Sequence, residues 1–217
     1  MPIAFVQSAN VDGGTAVAFP SNITTGNSII VAIRLGDATS VPVVTDTGLN
    51  TYVEDRRQVV GGNRAFIFSA HNISGGIANT VTSTVTGRIA IHEYSGLAAS
   101  ATLDQVNSAT GTGTSANSGN VTTTQANELL FGAGATSGIA SFFAGTNYTL
   151  REKVPATNSS RLATEDRIVS TTGTYSASFT FGATEDWACL IATYKAPAAG
   201  VVPPAILTGP LSSNLRW

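Results

Sequence analysis

The apolar positions of this chain alternate with polar ones instead of recurring every three or four residues. Ser28-Ile29-Ile30-Val31-Ala32-Ile33-Arg34-Leu35 is a buried-strand run, with Ile29, Val31, Ile33 and Leu35 on one face. Residues 65–68, 80–85 and 89–94 follow in the same style, β-branched or aromatic and bounded by Gly, Asn or Ser, as strands are. Long stretches of helical period are absent. Only residues 97–106 and 137–144 are read as places for a short helical turn. The pattern predicts an all-β chain.

The same pattern occurs twice. Asn22-Ile23-Thr24-Thr25 matches Asn120-Val121-Thr122-Thr123, and Ile29-Ile30-Val31-Ala32 then matches Leu129-Leu130-Phe131-Gly132. Gly48-Leu49-Asn50-Thr51-Tyr52 resembles Gly145-Thr146-Asn147-Tyr148, and Ile73-Ser74-Gly75-Gly76 falls opposite Ser170-Thr171-Thr172-Gly173. Last, the strand ending in Tyr94 matches the strand ending in Tyr194. The order of the matches is preserved throughout. Two arrangements satisfy such a repeat: two tandem small sandwiches, or two halves that complete one another. The Ser/Thr/Gly/Asn-rich stretch 104–120 is a candidate linker for the first. Each half offers few strands and Pro-rich linker chemistry is missing, which favours the second. The expectation is one jelly-roll-like antiparallel β-sandwich over residues 1–196, with halves of about 1–97 and 98–196 in a pseudo-twofold relation.

Residues 197–217 differ. Pro203-Pro204 favours an extended backbone, and the segment shows neither strand nor helix period. It nevertheless carries Val201, Val202, Ile206, Leu207, Leu211, Leu215 and Trp217, which a free tail would expose to water. It is read as an extended C-terminal arm docked on its own domain or on a neighbour, and those seven residues are its candidate partner-binding positions.

Composition narrows the function classes. At 42% hydrophobic over 217 residues the chain can bury a core, and only 11% of it is charged, so it is not of the disordered type. A net charge of −2 and a pI near 5.6 argue against nucleic acid, whose binders carry a basic patch. Lys occurs only at Lys153 and Lys195, and the Arg56-Arg57 doublet follows Glu54-Asp55. With one Cys there is no disulfide framework. No run is long enough to span a membrane, and the N-terminal residues lack the features of a secretory signal. Synthesis in the cytoplasm is the expectation.

The search for chemistry gives little. His71 and His92 are the only histidines, and His92 is followed by Glu93, which a strand turns to the opposite face. No metal set converges. Cys189 lies in the core-like run Trp187–Ile191 and is read as a buried thiol. The doublets Glu54-Asp55, Glu165-Asp166 and Glu185-Asp186 are read as solvated loop charges. A glycosidase needs two carboxyls facing one another across a sugar, and neighbours on a strand point apart. Gly132-Ala133-Gly134 is read as close backbone packing in a sheet, and Asp46-Thr47-Gly48-Leu49-Asn50 as a turn. No catalytic residue, cofactor or metal site is expected.

Phe5-Val6-Gln7-Ser8, the turn from Thr45 to Tyr52 and Glu93-Tyr94-Ser95-Gly96 resemble a jelly-roll-type β-sandwich family of bacteriophage virion proteins and bacterial surface proteins. So do the Gly111–Ser118 tract leading to Asn127–Gly132 and the closing Trp187–Tyr194 strand. The resemblance spans about residues 3–196 and concerns turns and core, so it implies no catalytic residues. It implies a non-enzymatic structural protein of the virion, assembled in the host cytoplasm. The expected role is capsid decoration or a place on the head surface of a tailed phage. Its expected partners are the major capsid protein or other virion proteins and sister subunits, with a trimer the expected homo-oligomer. The alternative is a carbohydrate-binding or adhesion module of a tail, fibre or cell surface. There, exposed aromatics at Tyr52, Tyr148 or Tyr175 would stack on a glycan. A third reading, a glycan depolymerase using Glu93, needs convergent carboxylates.

Overall fold

A computed structural model describes residues 1–198; residues 199–217, and with them every candidate arm position from Val201 to Trp217, lie outside the described residues. The first half of the chain supplies β1 (Ala4–Ala18), β2 (Ser28–Leu35), β3 (Val44–Asp46), β4 (Val53–Val60), β5 (Asn63–His71) and β6 (Thr80–Ser95). The second supplies β7 (Leu103–Asn117), β8 (Val121–Thr122), β9 (Glu128–Ala140), β10 (Phe142–Ala144), β11 (Thr149–Val154), β12 (Ser160–Val169), β13 (Thr174–Tyr175) and β14 (Ser178–Lys195). No helix occurs among the described residues. The segments 97–106 and 137–144, read as helical turns, instead run into β7 and through β9 and β10. Small residues there satisfy either backbone, and pairing with β14 and β12 decides in favour of strand.

The chain is an antiparallel β-sandwich with an internal duplication. One sheet runs β1-β6-β2-β5-β4, with β3 added on β6. In the other, β7 and β10 both pair with β14, which is followed by β9, β12 and β11. Each sheet is therefore drawn wholly from one half, and strand for strand the two orders coincide. The polar stretch 104–120, considered as a linker, is mostly β7. It is an edge strand held by its ladder to β14, and its Thr110, Thr112, Thr114 and Ser115 are exposed.

Registers fix which residues correspond. Tyr94 lies opposite Ser28 and Phe5, and Tyr194 opposite Leu129 and Leu103, so the two tyrosines are equivalent, as the repeat predicted. In β2 and β9 the correspondence is one residue away from the sequence match. Ile29 faces Glu93 while Leu130 faces Thr193, so Ile29 corresponds to Leu130 and not to Leu129. A slip of one residue exchanges the faces of a strand. Leu129 accordingly joins the layer between the sheets, and Leu130 joins the outer one.

Both faces of both sheets are covered, which is why β2 is buried at every position. Between the sheets, Ile30, Ala32, Ile67 and Tyr94 pack against Leu129, Phe131, Leu162, Leu190 and Tyr194. Outside the first sheet, Ile29, Val31, Ile33 and Leu35 meet Val17, Phe19, Val44 and Val81. Outside the second, Leu130, Cys189 and Ile191 meet Phe142, Phe179 and Phe181. The latter groups come from the far ends of β1 and β6 with β3, and of β14 with β10. Those ends fold over after register breaks between Gly14 and Ala16 and between Thr180 and Glu185. At Gly132 and Gly134 an added Cβ would stand 2.8 Å from the Ala177 Cβ and 2.7 Å from the Phe179 ring. The glycine run is thus close packing, as read from the sequence.

Candidate functional site

The middle layer is apolar except for a set of polar groups that bond across the two halves. His92 is fully buried; its Nε2 pairs with Thr164 Oγ1 at 2.9 Å and its Nδ1 with the Ile30 carbonyl at 3.3 Å. Burial holds its imidazole neutral, with a pKa near 3. Glu152 accepts from Ser8 and Asn10, and the Arg56 Nε donates to Ser108 Oγ. Arg34, itself 2% exposed, donates to the carbonyls of Thr136 and Ser137.

Two of these arrangements are built on equivalent residues. In one, the Tyr94 hydroxyl donates to Asp166 Oδ2 at 2.7 Å. The Arg151 Nε reaches the same oxygen at 2.8 Å, and its guanidinium lies 4.0 Å over the Phe5 ring. In the other, the Tyr194 hydroxyl donates to Asp55 Oδ2 at 2.6 Å, and Ser69 lines the same cavity as that carboxylate. The ladders explain the likeness. Asp55 and Arg151 are each the extra residue of a bulge, in β4 and β11 respectively, and Val53 faces Ser69 as Thr149 faces Asp166. A bulge turns its extra side chain out of alternation. Here it turns both inward, toward the tyrosine of the other half. Ser69 thus corresponds to Asp166, Asp55 to Arg151, Leu103 to Phe5, and His71 to Ile168.

The Tyr194 side opens onto a cavity of about 280 Å³ lined by Thr51, Val53, Asp55, Ser69, His71 and the 99–103 linker. Burial raises the Asp55 carboxyl to about 6, although the bond from Tyr194 pulls it down. His71 is kept neutral by burial, near 4, with Nδ1 on Ser28 Oγ at 2.9 Å and its buried Nε2 without a hydrogen-bond partner. A second cavity of about 490 Å³ lies between residues 1–3 and 196–198, where Ile168 takes the place of His71; it is mainly apolar.

The other carboxylates flagged in the sequence are held in structural bonds. Glu93 is fully buried and accepts from Gln7 Nε2, the Thr24 amide and Asn27 Nδ2. Glu165 accepts from the amides of Gly145 and Ser178 on the outer side of its sheet, while its neighbour Asp166 faces the middle layer. The doublet members therefore point apart, as strand alternation required. They are not solvated loop charges, however: Glu165 and Asp166 are buried and Asp55 is turned inward. Asp186 accepts from Thr112, and Glu185 from the Gly138 amide. Cys189 is buried, its thiol on the Ala177 carbonyl. Asp46 caps its turn by accepting from the Asn50 amide and the Tyr52 hydroxyl. Among the described residues, no three His, Cys, Asp or Glu gather as a metal set would.

Tyr52 packs half-buried on the first outer layer, while Tyr148 and Tyr175 pack half-buried on the second. Sequence reasoning missed the Asp55–Ser69–Tyr194 group. Its one trace was Asp55 standing in a strand-like run among residues of both charges, which does not reveal a bulge. Compared with protein-family models, curated proteins and solved structures, the chain matches none.

Proposed function

We propose that this protein is a non-enzymatic structural component of a bacteriophage virion, a decoration or head-surface protein that binds the capsid and sister subunits. The observation that carries the non-enzymatic part is the fate of the carboxylates. Glu93, Glu165 and Asp166 are each taken up by two or more structural donors. The virion setting is supported by the sequence resemblance, the scarcity of charge and the Thr-rich surface. The mechanism is passive. Apolar side chains of the arm and the free sheet edges bury area against the capsid, at roughly 25 cal/mol per Å² less the entropy of association.

Deleting residues 197–217 tests the reading. The truncated chain is expected to keep the thermal transition of the sandwich and to drop out of purified particles. Undiminished incorporation would refute the role of Val201, Val202, Ile206, Leu207, Leu211, Leu215 and Trp217.

A further inference from the structure

We infer that the cavity at Asp55 is a binding site for an organic cation, specifically the guanidinium group of a ligand or of a partner's arginine. The inference does not depend on the virion setting. It rests on the two equivalent arrangements in the middle layer. On one side the carboxylate of Asp166 is met by both Tyr94 and Arg151, and the guanidinium is covered by Phe5. On the other side the carboxylate belongs to Asp55, which occupies the arginine's own position. Tyr194 still donates to it, yet no Lys or Arg of the described residues pairs with it. Arg151 supplies a positive charge to Asp166, whereas Asp55 lines an open cavity of about 280 Å³ together with Ser69 and His71.

The walls suit that occupant. His71 stays uncharged near neutrality, so it does not balance Asp55. The linker contributes Ala99, Ser100, Ala101, Thr102 and Leu103, none of them charged. The neighbouring Glu54 adds negative charge and itself pairs with Arg57. Val53 and Leu103 are exposed at 59% and 36% and offer apolar surface to an alkyl stem, as Phe5 does to Arg151. A guanidinium suits a carboxylate flanked by hydroxyls better than an ammonium does, because its planar fork donates in two directions at once.

The test is titration of the full chain with n-propylguanidinium chloride, followed by amide chemical shifts in two-dimensional NMR. Its neutral counterpart, n-propylurea, is the control. Saturable shifts are expected at residues 51–55, 69–71 and 99–103, with at least about tenfold weaker response to the urea, since charge-assisted hydrogen bonds are the stronger class. Asp55→Asn is expected to abolish the response while keeping the dispersed spectrum of a folded chain. The double variant Asp55→Arg with Ser69→Asp, which rebuilds the other half's ion pair, is expected to do the same. A second titration with N-acetyl-Gly-Arg-Gly-amide decides the source. Tighter binding than propylguanidinium marks a partner's side chain, and weaker binding marks a free small cation. No saturable shift at millimolar concentration, equal response to the urea, or full response in Asp55→Asn overturns the inference.

Discussion

Removing Arg151 should destabilise this protein far more than removing a surface charge, because its partner stays behind in the core. Asp166 is 3% exposed and its Oδ2 accepts from both Tyr94 and Arg151. In Arg151→Met the methionine keeps contact with Phe5, but the carboxylate retains only the tyrosine. Breaking a fully buried ion pair costs roughly 3–5 kcal/mol. The Arg151 side chain is 23% exposed, so water screens part of the interaction, and about 2–4 kcal/mol is the expected loss. For a chain of this size that lowers Tm by roughly 5–15 °C. Asp166→Asn should cost less, about 1–2 kcal/mol, since Asn still accepts from Tyr94 and Arg151 can turn toward water. The double variant closes a cycle, and its loss should fall short of the sum by about 1.5–3 kcal/mol. Urea unfolding followed by circular dichroism reads all four proteins, with a constant m-value as the check on two-state behaviour. A loss under about 1 kcal/mol for Arg151→Met, or strict additivity in the cycle, would refute the claim that this pair is a coupled buried unit.

The opposite sign is expected at Asp55. Its carboxyl is raised to about 6 by burial, so ionising it in the folded state is unfavourable, and Asp55→Asn should stabilise the protein at pH 8 by roughly 1–2 kcal/mol. The gain should be full above pH 6 and fade as pH falls toward the ordinary carboxylate value of 3.8, where both states of the wild type bind the proton. Thermal melts at pH 8, 5 and 4 read it; a pH-independent difference would contradict it. Gly134→Ala would set a methyl 2.7 Å from the Phe179 ring, in a layer with Cys189 and Ile191 close by. It should lose about 1–3 kcal/mol, and a neutral result in urea unfolding would show that the outer layer yields.

What was legible in the sequence, and what was not, follows from burial. The runs 28–35 and 89–94 announced themselves because β-branched residues crowd them. The tyrosines were matched correctly because each ends such a run. The slip between Ile29 and Leu130 was not readable, since a strand buried on both faces has no polar alternation to fix its phase. The opposite difficulty hid β7, an edge strand whose order comes from backbone pairing with β14 and not from apolar side chains. The site was hidden by two bulges. A bulge exists only relative to its partner strand, so nothing along residues 53–57 distinguishes an inward Asp55 from a solvated one.

The two halves repeat a backbone but not its polar groups, and the differences decide how they fit together. Within the first sheet Asn27 donates to Glu93; in the second the carboxylate has moved to the neighbouring strand, where Glu128 accepts from the Gln125 amide. Across the middle layer the difference is not neutral. Tyr94 requires the Asp166–Arg151 pair opposite it, while Tyr194 meets Asp55 and Ser69. Two copies of the first half laid face to face would set each Tyr94 against Asp55 and Ser69 and would leave each His92 without Thr164. Two copies of the second would bring no Arg34 to the carbonyls of Thr136 and Ser137 and no partner from the facing sheet for Thr164. The polar set therefore favours one half against the other over either half against itself. Both halves leave a cavity beside this layer, and what differs is its lining: Asp55, Ser69 and His71 on one side, Ile168 and residues 1–3 on the other.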